Sequence, residues 1–390
     1  MQKIIIFVES IFNKRDYHRY GLDIIIDNGF HVEVWDYSPL LRPKYFNNYS
    51  PPDPVNFKGY YLINNKDDAE KMLLKLSSYD TVVWSLSMNA STVFILTYLL
   101  NNDVQYGVIR LGALPQLQIP IARKFLIMIK RKIKTLIQSP YKTQIIPSKI
   151  YPPSFLIIGG SSYHNTTKYG IVEQTKLINA HALDYDRFLE EKHNDRDAYD
   201  YLGEYIVFLD EYAPYHPDVI TRKKPDTMRE IYFITLNKFF DYLEEQLKMK
   251  VIIAAHPRSN YKSIGNPFNE RVILFGQTVS LVKSSKCVLA HSSTSLNFAN
   301  LYRKPVIFLT HYSYSRIFRY WIVTIASAFG KKPIELSEEF PLKLERELIV
   351  NNEKYDSYKE KYIKETGTPE TPIWEIFADY LKESKFSRDK

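Results

Sequence analysis

A succession of short, continuous apolar segments separated by helical patterns is the strongest constraint on this chain. Lys3–Val8, His31–Trp35, Tyr60–Ile63, Thr81–Ser85, Gln105–Ile109 and Phe155–Ile158 are rich in Ile, Val and aromatic residues. The amphipathic stretch Arg15–Asn28 and the stretches Asp67–Leu76 and Ser91–Leu100 between them read as helices. Strands that are apolar along their whole length are buried on both faces. Joined by crossover helices, they predict a parallel sheet. A polar stretch, Glu190–Asp200, reads as a linker, and the pattern then restarts. Tyr205–Leu209, Val251–Ala255, Val272–Phe275, Cys287–Ala290 and Pro305–Leu309 are predicted strands. Asp226–Lys248, Val279–Ser284 and Ser295–Leu301 are predicted helices. The expectation is two Rossmann-like α/β domains, 1–195 and 203–345, facing a central cleft, followed by a helical segment over 346–390. In such folds ligands bind where the carboxyl ends of the strands open.

The 390 residues suit two domains, and 25% charged against 45% hydrophobic residues is the balance of a globular protein. The single cysteine, Cys287, excludes a disulfide framework and multi-cysteine metal sites and predicts a reducing compartment. It reads as a small buried hydrophobe. The longest apolar runs, Thr92–Leu100 and Tyr320–Phe329, are too short to span a bilayer, and the N-terminus reads as a strand rather than a signal peptide. A net charge of +8 permits phosphate, nucleic acid or anionic lipid and selects none of them. No GxGxxG or Walker loop follows any strand, which disfavours dinucleotide and P-loop chemistry.

Three polar patches follow predicted strands of the second half. Tyr205–Leu209 runs into Asp210-Glu211, a carboxylate pair that can supply a general base at a strand's carboxyl end. Val251–Ala255 ends in His256-Pro257-Arg258, where proline stops the strand and an imidazole and a guanidinium can meet a phosphate. Cys287–Ala290 leads into His291-Ser292-Ser293-Thr294-Ser295, more hydroxyl groups than one helix cap needs and a place for an anion. Plainer readings stand beside these: a solvent-facing acid pair, a histidine ending a strand, ordinary capping. Gly159-Gly160-Ser161-Ser162 after Phe155–Ile158 reads as a flexible turn or as part of an acceptor site through Gly160 and Ser161. Glu9 is a reserve base. His181 and Asp184 read as structural, His216 as a turn residue near the acid pair, and His291 as a residue able to touch a donor. The DxD matches Asp184-Tyr-Asp186 and Asp195-Arg-Asp197 do not follow strands, so no metal is expected. Residues 121–137, with six Lys or Arg among apolar residues, read as a basic amphipathic helix for an anionic membrane or as a helix packed on the sheet.

The order acidic pair, His-Pro, Ser-Ser resembles the bacterial sialyltransferases and polysialyltransferases of GT-B fold over roughly residues 203–310. A more distant likeness is to the CDP-glycerol glycerophosphotransferases, which share a His-Pro and a Ser-Ser before a similar helix and a strand like Lys304-Pro-Val-Ile. The resemblance implies a base at Asp210 or Glu211, with His256, Pro257, Ser292 and Ser293 on the CMP part of a donor. Arg258, His291 and Thr294 are carried as further donor contacts. It implies an inverting, metal-independent transferase without a cofactor, moving a sialic acid-like or related 2-keto sugar from CMP to a bacterial surface or lipid-linked glycan. The expected location is cytoplasmic and peripheral to the inner membrane face. One departure is that Tyr212, rather than glycine, follows the acid pair. Alternatives are polyol-phosphate transfer from a CDP donor, hexose transfer from UDP or GDP, and a non-catalytic glycan- or nucleic-acid-binding module. No basic and aromatic recognition motif supports nucleic acid.

Overall fold

The structure is a computed structural model that describes residues 2–51, 53–116, 151–164, 172–192, 199–213, 215, 226–257, 259–337, 340 and 343–386. The stretch 121–137, His216 and Arg258 lie outside the described residues, as do Asp195 and Asp197.

The chain divides into two compact units, each built on one parallel sheet. Unit 1 holds described residues of 2–113, 151–183 and 365–386, and unit 2 holds those of 184–364 with 114–116. The division differs from the expected boundaries at 195, 203 and 345. The helix Leu183–Lys192 belongs to unit 2 from Asp184 on, with Tyr185 buried and the Asp184 carboxylate accepting from Asn297 at 2.8 Å. The tail splits at 364/365, and its last helix returns to unit 1.

Among its described residues unit 1 has seven strands: β1 (Lys3–Val8), β2 (His31–Asp36), β3 (Tyr60–Leu62), β4 (Thr81–Ser85), β5 (Gln105–Arg110), β6 (Phe155–Gly159) and β7 (Lys176–Ala180). Their order is β3-β2-β1-β4-β5-β6-β7, and every pairing is parallel. The central strands carry no exposed residue in their middle, which is why they read as continuous apolar runs. β7 escapes sequence reading because Lys176, Leu177 and Asn179 on this edge strand face water. One face is covered by Ile373, Trp374, Phe377 and Leu381 of the helix Ile373–Phe386, packed with Ile4, Ile6, Leu22 and Phe155. The helix expected over 15–28 breaks into Lys14–Arg19 and Leu22–Asp27. Gly21 at the break has φ +54, and a Cβ there would lie 2.2 Å from Trp374 Cδ1. Only glycine gives both the backbone turn and the room for the indole.

Among its described residues unit 2 has six strands: β8 (Tyr205–Leu209), β9 (Lys250–Ala255), β10 (Ile273–Phe275), β11 (Cys287–Ala290), β12 (Val306–Thr310) and β13 (Ile334–Glu335). They lie in the order β10-β9-β8-β11-β12-β13, again parallel. The helix Asp226–Leu247 buries Tyr232, Leu236, Phe239, Phe240 and Leu243, spaced by one helical turn, against Phe208, Ile253 and Leu289. Cys287 is buried in β11, and burial pushes its thiol up to about 12, so it acts as core. The run Tyr320–Phe329 lies mostly in the helix Arg316–Ala328, which buries only Ile322, Ile325 and Ala326. Among the described residues no helix is long and apolar enough to cross a membrane.

Candidate functional site

The strand order of unit 2 determines where the three patches go. β8 lies between β9 and β11, and the register pairs Leu209 with Ala254 and Phe208 with Leu289. Parallel strands open their following loops on one edge. Asp210-Glu211, His256-Pro257 and His291-Ser292-Ser293 therefore leave the sheet side by side. The acid pair, on the middle strand, reaches both ways. Asp210 is 6% exposed. Its Oδ2 accepts from the Tyr261 hydroxyl at 2.8 Å and from the His256 backbone N–H at 3.3 Å, and its Oδ1 accepts from the Tyr212 N–H at 2.9 Å. Glu211 turns toward β11. One carboxylate oxygen accepts from the Ser292 N–H and the other from Ser292 Oγ at 3.0 Å, with the Ser293 amide adding a third donor. One acid thus ties the His-Pro turn and its neighbour ties the serine turn.

Both carboxyls are held above the ordinary carboxylate range. Burial pushes Asp210 up to about 6, and its three hydrogen bonds pull the other way. Burial pushes Glu211 up to about 7, the Ser292 donors oppose it, and the charge of Asp210 adds to the rise. A carboxyl poised near neutrality beside hydroxyl groups can take or give a proton under physiological conditions.

Tyr212, where the resembling enzymes have glycine, keeps the backbone that glycine would favour: its φ is +52. The Asp210 bond to its N–H holds that turn. Its buried ring meets Tyr215 and Tyr261, each with centroids 5.3 Å away.

His291 occupies a different environment from its serine neighbours. Its ring is fully buried. Nδ1–H donates to the Leu309 carbonyl at 2.8 Å, which leaves Nε2 to accept from the Tyr232 hydroxyl at 2.9 Å, with the Tyr314 hydroxyl 3.3 Å away. Burial, and next to it His311, lower the imidazole to about 4, so it is neutral. No ring nitrogen remains for a ligand, and the expected donor contact at His291 is replaced by a structural one. Ser293 Oγ accepts from the Ser295 N–H at 3.2 Å, and Thr294 is exposed. His256 and Pro257 stand at the surface of the edge, the former half-buried and the latter exposed. The partners Tyr232, Tyr261 and Tyr314 were not visible as site residues in the sequence, because nothing local separates them from the other tyrosines among 31.

Gly160 and Ser161 are in unit 1, after β6, where Gly160 takes φ +82 ahead of the turn Ser161–Tyr163. His181 is buried, with Nε2 2.9 Å from the Thr371 carbonyl oxygen. Glu9 follows β1, the strand of unit 1 that corresponds in order to β8. Its carboxylate accepts from the Ser87 N–H and Oγ, each at 2.8 Å, after the adjacent β4. The acid–serine tie of unit 2 thus recurs in unit 1.

Two parallel α/β units with flanking helices, the second presenting a polar site at its carboxyl edge, define the GT-B type of fold. No protein-family model matches the chain, and no curated protein matches it. Among solved structures, a protein assigned as a UDP-N-acetylglucosamine 2-epimerase from Listeria monocytogenes superposes with a TM-score of 0.50 at 12% identity, covering 98% of this chain and 96% of that one. S. aureus MnaA in complex with UDP gives 0.49 at 12% identity, over 98% and 97% of the two chains. The wall teichoic acid polymerase TagF gives 0.47 at 10% identity, over 99% and 89%. At these identities the likeness is one of fold.

Proposed function

We propose that this chain is a glycosyltransferase that takes an activated sugar from a nucleotide donor held at the carboxyl edge of unit 2. The donor is a CMP-linked nonulosonic acid or related 2-keto sugar, and the acceptor a bacterial surface glycan. The observation that carries the reading is the convergence of the three patches: Asp210 bonded to the His256 turn and Glu211 bonded to Ser292, on adjacent strands. Such a site can hold a phosphate with an imidazole and hydroxyl donors, and it places a carboxylate beside them. Each acid has three protein donors, but Asp210 is buried while Glu211 is half-buried and held near neutrality, so Glu211 is the base of the pair.

In this reading Glu211 takes the proton of the acceptor hydroxyl as that oxygen bonds to the anomeric carbon. The bond from that carbon to the phosphate oxygen breaks, and CMP leaves with the electron pair. His256 offsets the charge gathering on the phosphate, with the Ser293 and Thr294 hydroxyls as further donors. The N-terminal unit, through its own carboxyl edge near Gly160 and Ser161, takes the acceptor.

Comparing protection from thermal unfolding by CMP, CDP, UDP and GDP tests the donor class. A ligand at a hundred times its Kd adds about 2.7 kcal/mol to the folded state. Protection by CMP, lost in His256→Ala with the fold intact, supports the reading. Protection by CDP alone favours polyol-phosphate transfer, and UDP or GDP alone favours hexose transfer. No protection by any of the four removes the proposal.

A further inference from the structure

One surface of unit 2 is not used by the site. The helix Arg316–Ala328 follows β12, the strand next to β11, so its first turn rises from the same sheet edge as Glu211 and Ser292. Its inner face is buried through Ile322, Ile325 and Ala326. Its outer face carries large apolar groups in water: Ile317 is 71% exposed, Tyr320 47% and Val323 43%, with Tyr312 at 50% just before the helix. Trp321 is half-buried beside them. Spacings of three residues put Ile317, Tyr320 and Val323 in one stripe.

The polar groups on this side match a charged interface. The thirteen residues contain Arg316 and Arg319 and no carboxylate. Arg319 pairs with Glu335 at 2.7 Å. Arg316 stacks over the Tyr320 ring, 5.7 Å from its centroid, and no carboxylate among the described residues pairs with it. Thr324 Oγ1 donates to the Tyr320 carbonyl and Ser327 Oγ to the Val323 carbonyl, both at 2.8 Å. Those two hydroxyls already spend their protons on the helix, so covering the face strips few polar groups of water. A helix with an apolar stripe, aromatic residues beside it, uncompensated arginine at one end and no acid fits the headgroup region of an anionic bilayer.

We propose that Arg316, Ile317, Tyr320 and Val323 dock this helix on an anionic phospholipid surface. Docking there brings the carboxyl edge of unit 2 to the membrane, where a lipid-linked glycan would present its hydroxyl. The surface stands independently of which nucleotide the site takes.

Co-sedimentation of the full chain tests it, with vesicles of phosphatidylcholine alone and of phosphatidylcholine with phosphatidylglycerol. The wild type should pellet with the anionic vesicles and far less with the neutral ones. Combining Ile317→Ser, Tyr320→Ser and Val323→Ser should weaken partitioning by roughly a hundredfold, from the apolar area withheld. Arg316→Gln should weaken it about fivefold, the effect of one basic group at such a surface. All four side chains lie on the outer face, so the variants should stay folded, and nucleotide protection, read as the shift from each variant's own melting temperature, should match the wild type, which separates this test from that of the donor site. Three results overturn the proposal. The wild type can stay in the supernatant with anionic vesicles. The triple variant can pellet as the wild type does, with loss only when the lysines and arginines of 121–137 are neutralised. Light scattering can show a wild-type dimer that the triple variant lacks, which makes a second copy the occupant of this face.

Discussion

Asp210→Asn separates the burial of a charge from the geometry of the turn it holds. In the folded chain the carboxyl rises from the ordinary 3.8 to about 6, chiefly through burial. The folded state therefore holds that proton more tightly than the unfolded chain does. The sign follows: stability is greatest at low pH and falls as pH climbs through the folded value, because the unfolded chain releases the proton first. A rise of roughly two pH units corresponds to about 3 kcal/mol in full, at ~1.4 kcal/mol per unit. The variant has nothing to ionise at this position, and removing the charge also relieves Glu211, whose own rise includes a contribution from Asp210. Urea unfolding at pH 5 and pH 8 measures the difference. Part of the loss is already complete at pH 5, so the wild type should lose about 1–2 kcal/mol more than Asp210→Asn over that interval. The new side-chain amide must also set its nitrogen against a donor, either the Tyr212 N–H or the pair His256 N–H and Tyr261 OH. The variant should therefore be the less stable of the two at pH 5, by about 1–3 kcal/mol. Parallel pH curves would show that Asp210 carries no buried charge, and the division of labour within the acid pair would fall with it.

Other expectations are as direct. In Glu211→Gln the rate of sugar transfer should drop by roughly a hundredfold or more, and the limb of the pH–rate profile near 7 should disappear; a retained limb assigns the base elsewhere. Ser292→Ala leaves one Glu211 oxygen without its hydroxyl donor and should lower stability by about 1 kcal/mol in urea unfolding. Tyr212→Gly relaxes a φ of +52, worth ~1 kcal/mol, but removes a buried ring worth ~3–5 kcal/mol, so calorimetry should show net destabilisation. Gly21→Ala should drive Trp374 from its place and destabilise unit 1 by at least about 3 kcal/mol, read from the tryptophan emission on unfolding.

Much of this arrangement can be read in the chain because parallel strands write themselves as unbroken apolar runs. β1, β4, β8 and β11 fall where the pattern puts them, and a motif placed just after such a strand is placed on the carboxyl edge. What the pattern cannot carry is the identity of partners from elsewhere in the sequence. Tyr261 reaches Asp210 across 51 residues and Tyr232 reaches His291 across 59, and neither separation leaves a local mark. The role of His291 and the particular contacts of the C-terminal helix have the same origin. Each is decided by partners distant in sequence, the Leu309 carbonyl and Tyr232 hydroxyl for the imidazole and the apolar face of Leu22 and Phe155 for the helix.

The tie between Glu9 and Ser87 has a consequence for how chemistry is assigned to its counterpart. A half-fold lacking any His-Pro turn uses the same carboxylate grip to close the mouth of its sheet, so the grip alone is a joint of the architecture. Unit 1 is thus a built-in control within the same polypeptide. Glu9→Gln shows whether losing such a grip unfolds a unit, and Glu211→Gln is then judged on turnover by chains that remain folded.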